Sequence, residues 1–291
     1  MSEGPSPEIV ARVEKLLGWA PENWRPVFGG YTPAARYAVA AGERTGFVKV
    51  ATTETTAWQI NREIVAYAGI SGPFVPRLLG AESHETTPIL AIEDLSAATW
   101  PPPWTDKLLG QVLDAIAEMH RTSTELAHGG LLQGREAGWP SVAANPKPFL
   151  SLGLVSSQWL EHALPALLAA EAACVLTGDA LTHLDLRSDN LCISPDGVKF
   201  IDWAEACRSD PAVDLGFFLP SLAFEGGPLP ETILPGRADV AATVSGFFAA
   251  RAGLPDIPLA PFVRRVQREQ LSTALPWAIR ALDLPAQNRP R

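Results

Sequence analysis

The stretch Leu181–Ile193, LTHLDLRSDNLCI, crowds a His, two Asp, an Arg and an Asn between short apolar runs, and a second run, Val198–Trp203 (VKFIDW), ends in an acid and an aromatic. As spacing, the first reads His183-x-Asp185-x4-Asn190, and Asp202 follows twelve residues after Asn190. Phosphoryl transfer calls for this assortment: a carboxylate to take or orient the proton of an attacking hydroxyl, hard oxygen ligands to hold Mg²⁺ against a triphosphate, and a cation for the phosphates. On that reading Asp185 is the base and Asn190 and Asp202 are the metal ligands. Neutral Asn beside anionic Asp suits a site to which the triphosphate brings most of the charge. Pro195-Asp196-Gly197 predicts a turn between two strands that brings Asn190 and Asp202 together. His183 is expected to brace the loop by hydrogen bonds. The competing reading is a polar loop whose Asp and Asn cap turns, as those residues often do.

The rest of the chain is compatible with such chemistry. Its 291 residues suit one large domain or two lobes, and 47% apolar with 19% charged residues predicts a globular chain. A net charge of -9 argues against nucleic-acid or anionic-membrane partners, which need basic patches. Cys174, Cys192 and Cys207 form no C-x-x-C pair, so neither a disulfide framework nor a zinc site is expected, and a reducing cytoplasm fits. The N-terminus lacks the pattern of a secretory signal, and no apolar run reaches the ~18 residues of a spanning helix.

Periodicity divides the chain into a β-rich first third and a helical remainder. RYAVAAG and TGFVKVA predict a hairpin. TTAWQINREIVAYAGI predicts a helix with apolar spacing at Trp58, Ile60, Ile64, Val65 and Tyr67, and PILAIEDL a buried strand. SAATWPPPWTD reads as a stiff connection, with a boundary near Leu95. Helices are then expected in TDKLLGQVLDAIAEMHRTS, in SQWLEHALPALLAAEAACVLTG up to Gly178, in RADVAATVSGFFAARAG, and in the stretch from Leu259 to Leu284, kinked at Pro276.

HLDLRSDN followed by IDW resembles the catalytic and metal-binding loops of the aminoglycoside phosphotransferase family, whose fold is protein-kinase-like and whose members include antibiotic kinases and choline kinases. The resemblance implies an α+β, two-lobed fold: residues 1–95 as a small nucleotide-binding β lobe, and residues 96–291 as a larger helical lobe holding the catalytic and metal loops and the acceptor pocket. It implies ATP and Mg²⁺ as cofactors. Gly29, Gly30 and Thr32, in FGGYTPAARYAV, would cover the phosphates, although a glycine pair also suits an ordinary hairpin turn. Lys49 in GFVKV would contact the α- and β-phosphates, with Glu63 as its ion-pair partner and Glu54 as a competing acid. LAIEDL matches the hinge strand, where backbone near Glu93 and Leu95 would meet the adenine.

Two departures separate the chain from protein kinases. Leu184 stands where those usually carry an Arg, and WAEACRSDPAVDLGFFLPSL after Asp202 has no A-P-E and no room for an activation segment. DPAVDLGFF instead resembles the segment that follows the metal loop in small-molecule kinases, with Asp214 bracing the catalytic loop. Arg187 would steady the transferring phosphoryl group, or else pair with Asp189 or another acid. From Arg251 onward, Arg251, Arg264, Arg265, Arg268, Arg280, Arg289 and Arg291 outnumber Asp256, Glu269 and Asp283 by four. That weakens a polycationic acceptor, with Glu205, Asp210 and Glu225 as its remaining partners. Trp203, Phe217, Phe218, Phe224 and Trp277 would line an apolar pocket, although at helical spacing such residues more often form core. The expectation is therefore a cytoplasmic kinase of a neutral or mildly charged hydroxylated small molecule, with no obligate protein partner. The alternative is a catalytically weak nucleotide-binding or regulatory protein of the same fold.

Overall fold

The computed structural model describes residues 4–129 and 138–286. The chain opens with α1 (Pro7–Leu17), which the sequence reading did not foresee. Ser6 Oγ accepts from Ile9 N, Pro7 sits in the first turn, and Gly18 ends the helix in the left-handed region with φ +71°. Then come β1 (Asn23–Pro26), β2 (Ala35–Ala41), β3 (Arg44–Val50), α2 (Glu54–Gly69), β4 (Leu78–Glu82) and β5 (Ile89–Ile92). The strands form one antiparallel sheet in the order β1-β2-β3-β5-β4. β2 and β3 make the expected hairpin, in register from Ala35 opposite Val50 to Ala41 opposite Arg44.

Strand alternation then sorts side chains onto two faces. Tyr37, Val39, Val48, Val50, Ile89 and Ala91 pack with Val13 of α1 into one apolar cluster. Arg36, Lys49 and Leu90, neighbours across the same register, line a cavity instead. α2 starts at a capping box between Thr53 and Thr56. It buries Thr56, Ala57, Ile60, Glu63, Ala66 and Tyr67, whereas Trp58 and Val65, read as part of its apolar face, are 51% and 62% exposed. The face is set by Glu63, whose partner lies on the sheet, so apolar spacing alone misplaced it.

Beyond the sheet the described chain is largely helical: α3 (Asp106–Arg121), α4 (Trp139–Ala144), α5 (Lys147–Leu150), α6 (Ser157–Ala173), then, after four short strands, α7 (Pro211–Phe224), α8 (Pro230–Ile233), α9 (Ala238–Ala252) and α10 (Val263–Ala281). α9 is apolar nearly all round and packs against α4, α5, α6, α7 and α10. Trp139, Trp203, Trp277, Phe149, Phe200 and Phe218 fill the adjoining core. α6 stops at Ala173 rather than reaching Gly178, because Cys174 turns extended and the chain enters the next strand. Gly178 itself lies against Ser209, whose carbonyl a Cβ at that position would meet at 2.5 Å. Among the described residues no helix is long and apolar enough to cross a membrane.

The four short strands carry the motif. β6 (Ala180–Thr182) pairs with β9 (Cys207–Ser209), and β7 (Leu191–Ser194) pairs with β8 (Gly197–Phe200) across the expected Pro195-Asp196 turn. Ile201 N donates to Asn190 O at 2.9 Å, which joins the two ends of the hairpin.

Candidate active site

Leu181, Leu184, Leu186 and Leu191 are buried, and between them the polar residues of the motif are turned to definite partners. Leu184 adopts φ +59°, a left-handed backbone that costs a leucine ~1–2 kcal/mol. Asp214 on α7, wholly buried, holds it there: Oδ1 accepts from Leu184 N at 2.6 Å, and Oδ2 meets His120 Nε2 of α3 at 2.8 Å. His183 bonds Ile201 O through Nε2 at 2.8 Å and accepts from Asp185 N through Nδ1. Burial lowers its pKa, so a neutral imidazole packed on Trp203, with centroids 4.6 Å apart, ties the loop to the segment after β8 that carries Asp202. Bracing is thus what its geometry provides.

Asp202 also sits in the left-handed region, φ +67°. Lys49 Nζ on β3 bonds Asp202 Oδ1 at 2.8 Å and Glu63 Oε1 on α2. Burial works against the Lys49 ammonium, but Asp202 and Glu63 outweigh it and hold the pKa above the ordinary value. Burial pushes Glu63 up to about 8, despite Lys49. Asp202 faces the same burial, yet Lys49 keeps its carboxyl well below the usual range. The two acids are thus shifted in opposite directions, Glu63 up by burial and Asp202 down by Lys49.

Asp185 is turned toward Asn190, whose Nδ2 donates to its carbonyl at 2.8 Å and to Oδ2 at 3.0 Å. Arg187 Nη1 bonds the other carboxylate oxygen, Oδ1, and Arg187 Nε bonds Asp189 Oδ1 at 3.0 Å. Of the two alternatives weighed for Arg187, the ion pair with Asp189 is present, and Asp185 is a second acid on the same guanidinium. About a third of the Asp185 side chain (34%) stays open, and burial pushes its pKa up to about 7 against the pull of Arg187.

Two cavities meet at this loop. The first, about 510 Å³, is lined by Gly29, Gly30, Lys49, Glu63, Glu93, Leu95, Arg187, Asn190 and Asp202. Nine of the eleven residues expected at the site thus share one space. Glu93 N donates to Arg77 O, and Leu95 O accepts from Ala98 N, which commits one backbone group of each. The second cavity, about 270 Å³, is lined by Asp185 and Thr32, by Arg187 and Asp202 again, and by residues of α2, α7, α9 and α10.

Several expected contributors lie elsewhere. Trp203, Phe218 and Trp277 are core, and Phe224 is half exposed; none of them lines the second cavity, which takes only Phe217 of that group. Asp210 caps α7, Glu225 bonds Trp104 Nε1 and Ser188 Oγ, and only Glu205 of the three acids reaches the cavity. The described C-terminal arginines do not line it either: Arg265 pairs with Glu269 and Arg280 with Glu231. Arg289 and Arg291 lie outside the described residues.

Sequence reading missed Arg36. It donates to Thr32 O, Ala34 O and Thr32 Oγ1, so it pins the loop before β2 from beneath. Gly30, at φ +74°, leaves room for it, since a Cβ there would lie 2.8 Å from the guanidinium. The period-2 pattern that put Lys49 on a strand also places Arg36 opposite it, and that was the available signal. Tyr31 lies in the same loop, and its ring is 5.1 Å from the Arg187 guanidinium.

Comparison with known proteins bears on the family and the fold. A family model described as the phosphotransferase enzyme family matches residues 23–253. A ternary complex of aminoglycoside phosphotransferase APH(4)-Ia with ADP and hygromycin B superposes with a TM-score of 0.57 at 15% identity, covering 97% of this chain and 100% of that one. Choline kinase LicA from Streptococcus pneumoniae gives 0.57 at 17% identity, over 95% and 98% of the two chains. Spectinomycin phosphotransferase APH(9)-Ia, with ADP and spectinomycin, gives 0.56 at 12% identity, over 97% and 100%. At such identities the likeness establishes the α+β, kinase-like fold that the sequence led us to expect. Among curated proteins, none matches the chain.

Proposed function

The chain belongs to the phosphotransferase enzyme family, and from that premise we propose that it moves the γ-phosphoryl group of ATP to a hydroxyl of a small molecule. One observation carries the reading: Arg187 and Asp202 line both cavities, so the larger space and the smaller one meet where Asp185 stands. The larger would take the nucleotide, between residues 1–95 and residues 96–291, and the smaller the acceptor. The ADP of the structural relatives supports a nucleotide in the first space.

In the transfer the acceptor hydroxyl oxygen attacks the γ-phosphorus. A new P–O bond forms as the bond to the β,γ-bridging oxygen breaks, and ADP leaves with that electron pair. Asp185 takes or orients the hydroxyl proton. Its raised pKa keeps the carboxylate basic enough for this, and Asn190 fixes its orientation. Lys49 would bind the α- and β-phosphates, with Glu63 holding it in place. Arg187 would neutralise charge on the transferring group, which requires it to leave Asp185. The loop at Gly29, Gly30 and Thr32 would cover the phosphates, and backbone at Glu93 and Leu95 would meet the adenine.

Asn190 and Asp202 fit Mg²⁺. They offer one amide and one carboxylate oxygen into the nucleotide space, and Mg²⁺ is usually held by one or two carboxylates with substrate phosphates rather than by an all-protein cage. Among the described residues no group of three or more His, Cys, Asp or Glu forms such a cage. When bound, the ion would screen the phosphate charge. The three cysteines are free, in keeping with a cytoplasmic setting.

The test is ADP release from ATP with Mg²⁺ across hydroxylated compounds, with hygromycin B, spectinomycin and choline among them. Acceptor-stimulated release supports the reading. Nucleotide binding with no stimulation by any compound favours the catalytically weak binding protein.

A further inference from the structure

The acceptor cavity contains one polar atom whose chemistry is unanswered. Gln270, on α10, is 4% exposed and lines this cavity, and its Oε1 is buried with no hydrogen-bond partner. An amide oxygen stripped of water and left unpaired is costly, and a ligand that brings a donor removes that cost. Its neighbour Gln267 is different: Gln267 Oε1 already accepts from Arg264 Nη1 at 2.8 Å.

Much of the remaining wall is apolar, beside the polar Tyr31, Thr32, Gln59 and Gln267. Phe217 of α7 and Phe247 and Phe248 of α9 form an edge-to-face trio, with centroids 5.2, 6.0 and 5.3 Å apart, and all three line the cavity. Apart from Asp185, Arg187 and Asp202, Glu205 is the one charged side chain lining it among the described residues. Two of its three carboxylates, Asp185 and Asp202, already pair with Arg187 and Lys49. A polycation would therefore be stripped of water there with little charge to compensate it, whereas an apolar or sugar face can lie on the phenylalanines.

We propose that Gln270 Oε1 is the specificity contact for the acceptor, accepting a hydrogen bond from a hydroxyl of a neutral molecule whose apolar face packs on Phe217, Phe247 and Phe248. The assignment rests on the phosphotransferase reading. The hydroxyl bound by Gln270 is a recognition group; the one near Asp185 is phosphorylated.

The experiment compares neutral alkyl and aryl glycosides and nucleosides with the polycationic di- and triglucosamines, in wild type and in Gln270→Met. The readouts are Mg²⁺-dependent ADP release, KM for each acceptor and for ATP, and the melting temperature of the ligand-free protein. Neutral compounds should be the better acceptors. Gln270→Met should raise their KM on the order of tenfold, the scale of one lost hydrogen bond with a donor left unpaired, with the KM of ATP unchanged. It should also raise the melting temperature, because an orphaned oxygen has been removed. A preference for the glucosamines, no turnover of any neutral compound, or an unchanged acceptor KM in the variant would overturn the assignment. The wild-type comparison stands even if the variant does not fold. Phosphorylated glucosamines would remove the Gln270 assignment and keep the kinase; nucleotide binding without turnover of any compound would remove the kinase reading, and the assignment with it.

Discussion

Lys49 and Asp202 lie 153 positions apart and meet at 2.8 Å, and Glu63 closes on the same ammonium from α2. Replacing one member of a buried pair commonly costs ~3–5 kcal/mol, because the other charge is left alone. Here Glu63 can take a proton, since its pKa is already pushed up by burial, and the Asp202 side chain, 38% exposed, can be solvated by water. Lys49→Met should therefore destabilise by only ~1–3 kcal/mol in urea melts, about the cost of an unsatisfied buried group. Nucleotide affinity should fall on the order of tenfold or more with the lost phosphate contact. Wild-type affinity for ADP would remove Lys49 from the phosphate site.

Asp185→Asn should leave nucleotide binding intact and lower turnover by ~10²-fold or more, the usual scale for a general base. The amide keeps an oxygen for Asn190 and the shape of the loop, so the loss reads the carboxylate alone. Turnover near wild type, measured as ADP release with a working acceptor, would take the proton-accepting role from Asp185.

Much of this was legible because it is local. His183, Asp185 and Asn190 lie within one loop, and the strand-turn-strand that follows delivers Asp202 by a short hairpin. Periodicity put Lys49 on a strand and Glu63 on a helix, and the family resemblance picked them out there, although Trp58 and Val65 were assigned to the wrong side of α2. The acceptor cavity was not legible. Its wall is assembled from Gln59 of α2, Phe217 of α7, Phe247 and Phe248 of α9 and Gln270 of α10, whose meeting depends on how helices cross rather than on any run of residues. Summing charge over the C-terminal segment said little about the cavity for the same reason, because the arginines described there do not line it.

Asp202→Asn isolates a charge. Asn tolerates the left-handed backbone at φ +67°, so the variant removes the anion without adding strain. Wild-type ATP affinity should drop on chelation of Mg²⁺. In the variant it should be weak with or without the ion, since a hard cation is held chiefly by carboxylate oxygen. An unchanged Mg²⁺ dependence, measured by calorimetric titration of ATP, would move the metal site away from Asp202.

Glu171, which lines neither cavity, sets a pH response of the fold. It accepts from Trp139 N at 2.7 Å, and a Cβ on Gly138 or Gly246 would press on its carboxylate. Burial pushes its pKa from 4.5 up to about 7, against the pull of the Trp139 bond and of Arg251. Between those values the folded chain holds a proton that the unfolded chain has released, so stability falls as pH climbs through that window and levels off above it. Below the unfolded value both states are protonated, and the contribution is fully present. Glu171→Gln keeps an oxygen for Trp139 N and has no proton to release. Its melting temperature should therefore vary less than that of wild type from about pH 4.5 to about pH 7, and lie above it on the alkaline side. Melting curves of the two proteins that run parallel across the window would show that another group carries the response.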